Sequence, residues 1–381
     1  MKQLILLYWG CAFLMYFSQV YYPTPCLLEH HGHRSFMKRN TDLFMGIAIF
    51  WLTCFFFLRT SYNDTGTYIF FWENAPTVQA FIAEGGLADL TGNPLAILWQ
   101  TFSHQYIGNY HVYFLLPAIL INFAVIKLLK NYSVSPVFST IIYFSVGTCI
   151  LYMAAMKQCF AMFFLLLSIP YAEKKQYVRF YLLVFIAILF HTHAFMFALL
   201  PFLFGKPWNK VTWAGLFVAL FVMATYDATM TAFMNLAQSI GALVADIEVF
   251  DGHQINILRV IIYWIPTALA LFFRERLFRD STRMENLFVN MSIVSSMILM
   301  LGLVQGANLY ARMAGYFEIA MAISLPWMLK KLFTDQSFKM VSAIATVLYF
   351  GYFLYEFGVS KFFGDQYRAI TLWEFITELF A

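Results

Sequence analysis

Apolar residues run through this chain in long unbroken stretches rather than in the one-sided stripes of a soluble helix. They lie near 4–22, 43–58, 110–129, 134–153, 155–171, 178–191, 194–205, 211–226, 257–273, 287–305, 309–329 and 338–356. A helix crossing hydrocarbon needs roughly 20 apolar residues, because backbone groups in lipid must be hydrogen-bonded within their own segment. The pattern therefore predicts an all-α polytopic membrane protein with about ten to twelve transmembrane helices. The stretch 194–205 is short for a straight α-helical span, and predicts either a crossing or a re-entrant segment packed inside the bundle.

The longest polar stretches are 59–108, 227–256 and the tail 357–381. The first mixes Trp72, Phe81, Leu87, Leu95, Ile97, Leu98 and Trp99 with scattered acids and Gly-Pro-Asn breaks. That mixture suits amphipathic helices lying at a membrane interface. With no low-complexity linker and no internal repeat, residues 1–381 read as a single transmembrane domain that includes these loops and the tail.

Composition sharpens the picture by exclusion. With 61% hydrophobic residues, 12% charged residues and a mean hydropathy of +0.69, an ordinary water-soluble domain is ruled out. There is no basic tract of the kind that binds nucleic acid. The cysteines Cys11, Cys26, Cys54, Cys149 and Cys159 lack the spacing of a metal site or a disulfide framework and read as packing residues. No small-x-small cleavage pattern follows Lys2 before Tyr21-Tyr22-Pro23, so the first apolar run reads as a crossing, not a signal peptide.

Charge then predicts orientation, since short cytoplasmic loops retain Lys and Arg. Taking alternate loops as cytoplasmic collects Arg34, Lys38 and Arg39; Lys127 and Lys130; Lys174, Lys175 and Arg179; Lys206 and Lys210; Arg274, Arg276, Arg279 and Arg283; and Lys330, Lys331 and Lys339. Both termini then lie outside the cytoplasm, provided that 194–205 crosses. The basic residues left on the outer side are Lys2, Arg59, Lys157, Arg259, Arg312, Lys361 and Arg368.

A cation near a helix end in lipid is costly and asks for a reason. Lys2 and Arg259 read as side chains reaching outer headgroups. Arg59, Lys157 and Arg312 are expected at a common outer level, each beside a polar partner: Asp64, Gln158 and Tyr310. Three such cations suit a polyanionic ligand, most naturally the diphosphate of a lipid-linked donor, against the plain alternative of three headgroup contacts. His191-Thr192-His193 marks the end of the sixth apolar stretch. Histidines at i and i+2 do not share a helix face and no Cys or Glu completes a metal set, so no metal is expected there. His191 is either a helix-end histidine bonded to backbone or a general base, suited by an ordinary imidazole pKa near 6.5. Asp64 is either an ion-pair partner of Arg59 or a carboxylate that takes a proton from a sugar hydroxyl. Asp227, Asp246, Glu248 and Asp251 read as a solvated acidic loop. The sequons at Asn63 and Asn290 carry no weight, one lying in the candidate site and the other inside a crossing.

Arg59 through Tyr68 with Phe70-Phe71, Lys157-Gln158 through Ala161, Phe190-His191-Thr192-His193-Ala194, and Arg312 through Tyr316-Phe317 resemble the successive motifs of EpsG-like exopolysaccharide polymerases, relatives of the Wzy O-antigen polymerases. The order matches from about 42 to 330. The family's Arg before Gln is Lys157 here, which keeps the charge without the bidentate fork, and His193 is an added histidine. The resemblance implies a GT-C-like helical fold and a multi-pass enzyme of the bacterial inner membrane. It also implies glycosyl transfer among undecaprenyl-diphosphate-linked oligosaccharide repeats on the periplasmic face. On that reading Arg59, Lys157 and Arg312 hold diphosphate without a metal or other cofactor, and His191 or Asp64 is the base. Tyr68, Gln158, His193, Tyr310 and Tyr316 position substrate. Expected partners are membrane lipids, the lipid-linked oligosaccharide and a chain-length regulator, with no nucleic acid. The alternatives are another membrane glycosyltransferase or O-antigen ligase, a membrane O-acyltransferase using His191, or a lipid-linked sugar flippase, which would call for charges at mid-membrane depth and discontinuous helices in repeated halves.

Overall fold

The computed structural model describes residues 1–28, 36–239, 253–359 and 367–380. Arg34, Asp246, Glu248, Asp251 and Lys361 lie outside the described residues. Helices dominate: α1 (Lys2–Tyr21), α2 (Leu43–Phe57), α3 (Thr65–Glu73), α4 (Val78–Ala83), α5 (Pro94–Phe102), α6 (Tyr110–Tyr132), α7 (Pro136–Ser145), α8 (Thr148–Ala154), α9 (Met156–Glu173) and α10 (Tyr177–Phe190). A 3-10 helix over Thr192–Phe204 follows, then α11 (Lys210–Ala224), α12 (Tyr226–Ser239), α13 (Ile257–Phe272), α14 (Arg274–Phe278), α15 (Arg283–Leu301), α16 (Ala307–Ala314), a short 3-10 turn at Glu318–Ala320, α17 (Met321–Leu332), α18 (Asp335–Leu354) and α19 (Leu372–Phe380). Among the described residues one two-stranded antiparallel ribbon pairs β1 (Arg59–Ser61) with β2 (Arg368–Ala369).

Among the described residues four helices are long and apolar enough to cross a membrane: Lys2–Tyr21, Tyr110–Tyr132, Arg283–Leu301 and Asp335–Gly358. Two bent pairs raise the number to six, α7 with α8 at 59° and Lys210–Ala224 with Tyr226–Ala232 at 98°. The apolar helices Leu43–Phe57, Tyr177–Phe190, Thr192–Phe204 and Ile257–Phe272 are shorter. The chain is thus a multi-pass membrane protein whose described residues hold four to six full-length spans by this measure, where apolar runs alone predict ten to twelve. Four of the apolar runs fold as these shorter helices, and breaks interrupt others. Gly147, at φ +88, separates α7 from α8 in a conformation that L side chains rarely adopt. The run 309–329 is not one span but α16, the turn at Glu318–Ala320 and α17. The doubtful stretch after His191 is a 3-10 helix, whose 13 residues extend ~26 Å at roughly 2.0 Å per residue, close to the hydrocarbon thickness.

The chain divides into two compact units, Met1–Ala198 with Ala343–Ala381, and Leu199–Ser342. In the first, α2 packs on α1 and α6, and α9 packs on α10 as an antiparallel hairpin turned through Lys175 at φ +57. Asp42 caps α2 by accepting from the Met45 N–H at 2.9 Å, and Asn109 caps α6 through the His111 N–H at 2.8 Å. One end of this unit gathers expected cytoplasmic cations. Lys130 donates to the Ser18 carbonyl at 2.6 Å and lies 3.8 Å from Asp42, Lys127 donates to the Met37 carbonyl, and Arg39 bonds the Pro25 carbonyl and Asn131.

The second unit is built on α15, whose N-terminus carries a capping box between Thr282 and Glu285. Along its buried length Ser292 bonds Ser324, Ser296 bonds Thr267 (both 2.7 Å), and Ser295 donates to the Ala314 carbonyl. Small hydroxyl residues of this kind let membrane helices approach closely. Asn290 donates to the carbonyls of Leu203 and Gly205, each at 2.7 Å, which gives this sequon asparagine a packing role. Here too one end is basic. Lys206 reaches the Arg279 carbonyl, Arg283 covers the Phe204 ring at 4.8 Å, and Lys331 lies 3.8 Å from Glu285.

Candidate functional site

At the opposite end of the first unit from Lys130, α2 stops at Phe57 and β1 begins. Arg59 there is 2% exposed. Its Nε donates to Thr65 Oγ1 at 2.9 Å, Nη1 donates to the Phe56 carbonyl, and the guanidinium lies 4.3 Å from the Phe114 ring. Nη2 is buried with no hydrogen-bond partner. Burial lowers this guanidinium to about 10, partly offset by the nearby Tyr367, Cys159, Tyr68 and Tyr113. It therefore stays cationic at neutral pH. The turn from β1 into α3 is strained, with Tyr62 at φ +148 and Asn63 at φ +50, and it sets Asp64 at the N-cap position of α3 and Tyr68 one turn on.

The tail fastens this segment. Arg59 pairs with Ala369 in the ribbon, Ile370 donates its N–H to the Leu58 carbonyl at 3.0 Å, and Tyr367 Oη donates to the Phe55 carbonyl at 2.8 Å. Phe375 of α19 packs edge-on against Phe57. His111, in the first turn of α6 and 1% exposed, stands beside it with Nδ1 2.7 Å from the Phe57 carbonyl. A carbonyl only accepts, so Nδ1 carries the proton and Nε2, buried and without a partner, is the bare nitrogen of the neutral ring.

Lys157 and Gln158 open α9 just past the turn at Ala155. Gln158 is fully buried and Lys157 partly exposed. The next residue, Cys159, donates to the Pro117 carbonyl of α6 and interacts with Arg59, which brings the start of α9 to the Arg59 end. Phe190 stacks on Phe160 at 4.7 Å and on Phe164 at 5.4 Å, so the end of α10 also lies there. His191 caps α10 in an extended conformation, with its N–H on the Ala187 carbonyl. The His191 and His193 rings are 5.2 Å apart, and Thr192 donates from its N–H to Asn93 Oδ1 at 2.8 Å and from its hydroxyl to the Thr91 carbonyl at 3.0 Å. Arg59, Asp64, Tyr68, Lys157, Gln158, His191 and His193 are thus brought to one end of one unit, under the loop carrying Asn93.

Arg312, Tyr310 and Tyr316 belong to the second unit. Tyr310, 6% exposed, meets the Tyr226 ring at 6.5 Å, and Gly306, at φ +71, leaves room for both, since a Cβ there would stand 3.1 Å from Tyr226 Oη. Tyr316 is buried and near enough to Arg312 to feel its charge. Arg259 does not simply reach for headgroups as its sign suggests: its Nη2 lies 3.6 Å from Oε1 of Glu318, which is 0% exposed. Glu318, His111, Asn93 and Tyr367 escape the sequence reading, and Thr192 enters it only as part of the histidine motif. Glu318 alone had a local signal, as a carboxylate amid an apolar run.

Among the described residues no group of three or more His, Cys, Asp or Glu is placed to hold a metal ion. A cavity of about 230 Å³ lined by Gln19, Pro23, Cys26 and Lys130 opens at the basic end of the first unit and touches none of the candidate residues.

Every motif named above therefore sits where a helix stops: Arg59 after α2, Lys157 after the Ala155 turn, His191 at the end of α10, and Arg312 to Tyr316 where α16 gives way to Glu318–Ala320. Neither curated proteins nor solved structures provide a match. The EpsG family model matches residues 42–368, which takes in all four motifs. The chain belongs to the EpsG family, a family of exopolysaccharide polymerase-like membrane proteins.

Proposed function

We propose that this protein polymerises lipid-linked oligosaccharide repeats by glycosyl transfer on the non-cytoplasmic face of a bacterial inner membrane, in a GT-C-like fold. The observation that carries the reading is the convergence of Arg59, Lys157 and His191 at one end of the first unit, opposite its basic end, in a chain of the EpsG family. An acceptor sugar hydroxyl attacks the anomeric carbon of the growing chain. The bond from that carbon to the diphosphate oxygen breaks, the electron pair leaves with the undecaprenyl diphosphate, and the hydroxyl proton passes to His191 or Asp64. Arg59 and Lys157 stabilise the charge that develops on the departing diphosphate, an electrostatic term worth roughly 10²–10³ in rate per well-placed donor. This neutralisation calls for no metal. Arg312 is the corresponding cation of the second unit, assigned to a substrate phosphate. Tyr68, Gln158, His193, Tyr310 and Tyr316 position sugar or phosphate.

The short helices α3, α4, α5 and α19 expose Phe70, Phe71, Ile82, Phe102, Trp373 and Phe380, and we assign them to the outer interface, where the substrate lipid enters. The bend at Gly147 favours a second reading, a flippase of the same lipid, because discontinuous helices serve transporters. Stoichiometry separates the two. Purified protein given a synthetic lipid-linked repeat should release one free undecaprenyl diphosphate for each new linkage. A flippase moves the lipid between leaflets and releases none, and that result would end the polymerase reading.

A further inference from the structure

Past its last residue, α5 runs into a single π-helical turn, Ser103–Ile107, a form that helices often adopt at functional positions. Side chains lock this turn to its neighbours. Trp72 Nε1 donates to Ser103 Oγ at 3.0 Å, Gln100 Nε2 donates to the Phe71 carbonyl at 2.8 Å, and the Val78 N–H donates to Gln105 Oε1 at 2.7 Å. A surface row starts from that anchor. Gln105 Nε2 donates to Gln79 Oε1 at 3.1 Å, and Gln79 Nε2 donates to Tyr106 Oη at 3.3 Å. All three residues are exposed, Tyr106 by 56%, and its ring lies 5.1 Å from that of Phe102, at the edge of the apolar face assigned above to the interface.

The chemistry of this row selects its ligand. Each amide nitrogen has a second N–H beyond the bond it makes to its neighbour, and the Tyr106 oxygen, which accepts from Gln79, keeps its own proton to donate. A flat ring with neutral donors and acceptors along its edge suits a sugar, whose C–H face covers the ring while its hydroxyls meet the amides. Charge points the same way. From Thr60 to Ile126 the chain has no Lys or Arg, and its carboxylates are Asp64, Glu73, Glu84 and Asp89. A segment devoted to lipid headgroups ordinarily carries cations on its polar face, and acids alone do not recruit a phosphate. We propose that Gln79, Gln105 and Tyr106 form a saccharide-binding platform for neutral sugar residues. Its part in polymer growth rests on the polymerase reading; the affinity for a neutral oligosaccharide does not. Asn93 ties the start of α5 to the histidine motif, and the nine residues of the helix span roughly 14 Å at about 1.5 Å each. The platform therefore holds sugars away from the reacting linkage, so it affects chain extension more than the first transfer.

The test uses full-length protein in nanodiscs. The probe is the oligosaccharide released by mild acid from a synthetic lipid-linked repeat, which has neither lipid nor phosphate, and its binding is followed by saturation-transfer NMR. The parent should bind it, and Tyr106→Phe, which keeps the ring face, should bind within about twofold of the parent. Tyr106→Leu, still apolar but without the ring, should bind about tenfold more weakly, and Gln79→Ala/Gln105→Ala about as weakly. With the intact lipid-linked repeat, both weak binders should form the first linkage at the parent's rate and stop at shorter products. A parent that does not bind the probe would overturn the platform, as would parent-like binding by Tyr106→Leu and the double variant. A nitroxide on Tyr106→Cys should be relaxed by a water-soluble nickel chelate; relaxation by oxygen instead would place the row in the bilayer as a membrane contact and overturn the proposal too. If the probe binds through Tyr106 while the parent makes no polymer, the polymerase reading fails and the platform stands.

Discussion

The N–H of Thr192 donates to Oδ1 of Asn93 at 2.8 Å, across 99 residues of chain, and the Thr192 hydroxyl donates to the same oxygen at 3.1 Å. This pair ties the histidine motif at the end of α10 to the loop above it, and Asn93, at φ +60, is bent into the left-handed region to do so. Asn93→Ala removes both acceptor contacts and adds strain, and should cost about 1–3 kcal/mol of stability. The thermal midpoint in detergent should fall and polymer yield should fall further, since His191 loses its orientation. An unchanged midpoint and yield would show that the tie does not matter.

Arg59 tests the role of a fork against that of a charge. Lysine keeps the cation but lacks the planar fork whose Nε and Nη1 reach Thr65 and the Phe56 carbonyl separately, so Arg59→Lys should lose about tenfold or more in rate, and Arg59→Gln more still. A lysine variant as active as the parent would reduce Arg59 to a point charge.

The same residue makes a pH prediction. Burial lowers its guanidinium from the ordinary arginine range to about 10. The folded chain therefore binds this proton more weakly than the unfolded chain. Holding the cation costs stability at every pH below about 10, and the cost fades as pH rises from there toward the ordinary arginine range. Phosphate binding by Arg59 runs the other way and fails only near 10. KM for the lipid-linked repeat should stay flat across roughly pH 7 to 9 and climb above that. A climb within the neutral range would assign the titration elsewhere.

The tail is predicted to guard Arg59. Removing residues 367–381 deletes β2 and the Tyr367 bond to the Phe55 carbonyl, and should open the now buried Arg59 to trypsin while the protein stays in the membrane. Tyr367→Phe, which loses one hydrogen bond worth about 1 kcal/mol, should lower the midpoint slightly and leave Arg59 protected. Cleavage at Arg59 in the intact parent would contradict the clamp.

Topology is checked with a membrane-impermeant maleimide on intact cells. Cysteines replacing Asp64, His193 and Arg312 should label from outside, and those replacing Lys206 and Arg276 should not. Labelling of 276 would reverse the orientation. Labelling of both 193 and 206 would show that the 3-10 segment does not cross.

What was legible beforehand follows from what is local. The run 110–129 matches α6 because hydropathy reports an uninterrupted helix well, and Lys157 and His191 are visible as candidates because a polar residue stands out against apolar neighbours. The run 309–329 misled because apolar residues continue through the break between Gly315 and Glu318, and hydropathy records polarity rather than backbone geometry. Segment 194–205 reads as short for an α-helical span, and its 3-10 geometry, with a longer rise per residue, is not visible in hydropathy. Arg259 read as a headgroup contact because its partner Glu318 lies far along the chain. Asn93 and Tyr367 had no local signal at all, since their partners are 99 and 312 residues away.

The central claim, that the residues gathered around Arg59 and His191 polymerise a lipid-linked sugar, is tested most directly by reconstitution. Purified protein with a single synthetic undecaprenyl-diphosphate-linked repeat should yield a ladder of longer products, and Arg59→Gln and His191→Ala, inserted and folded like the parent, should yield none above the dimer. Unextended substrate with the parent, or an equal ladder with both variants, would contradict the account.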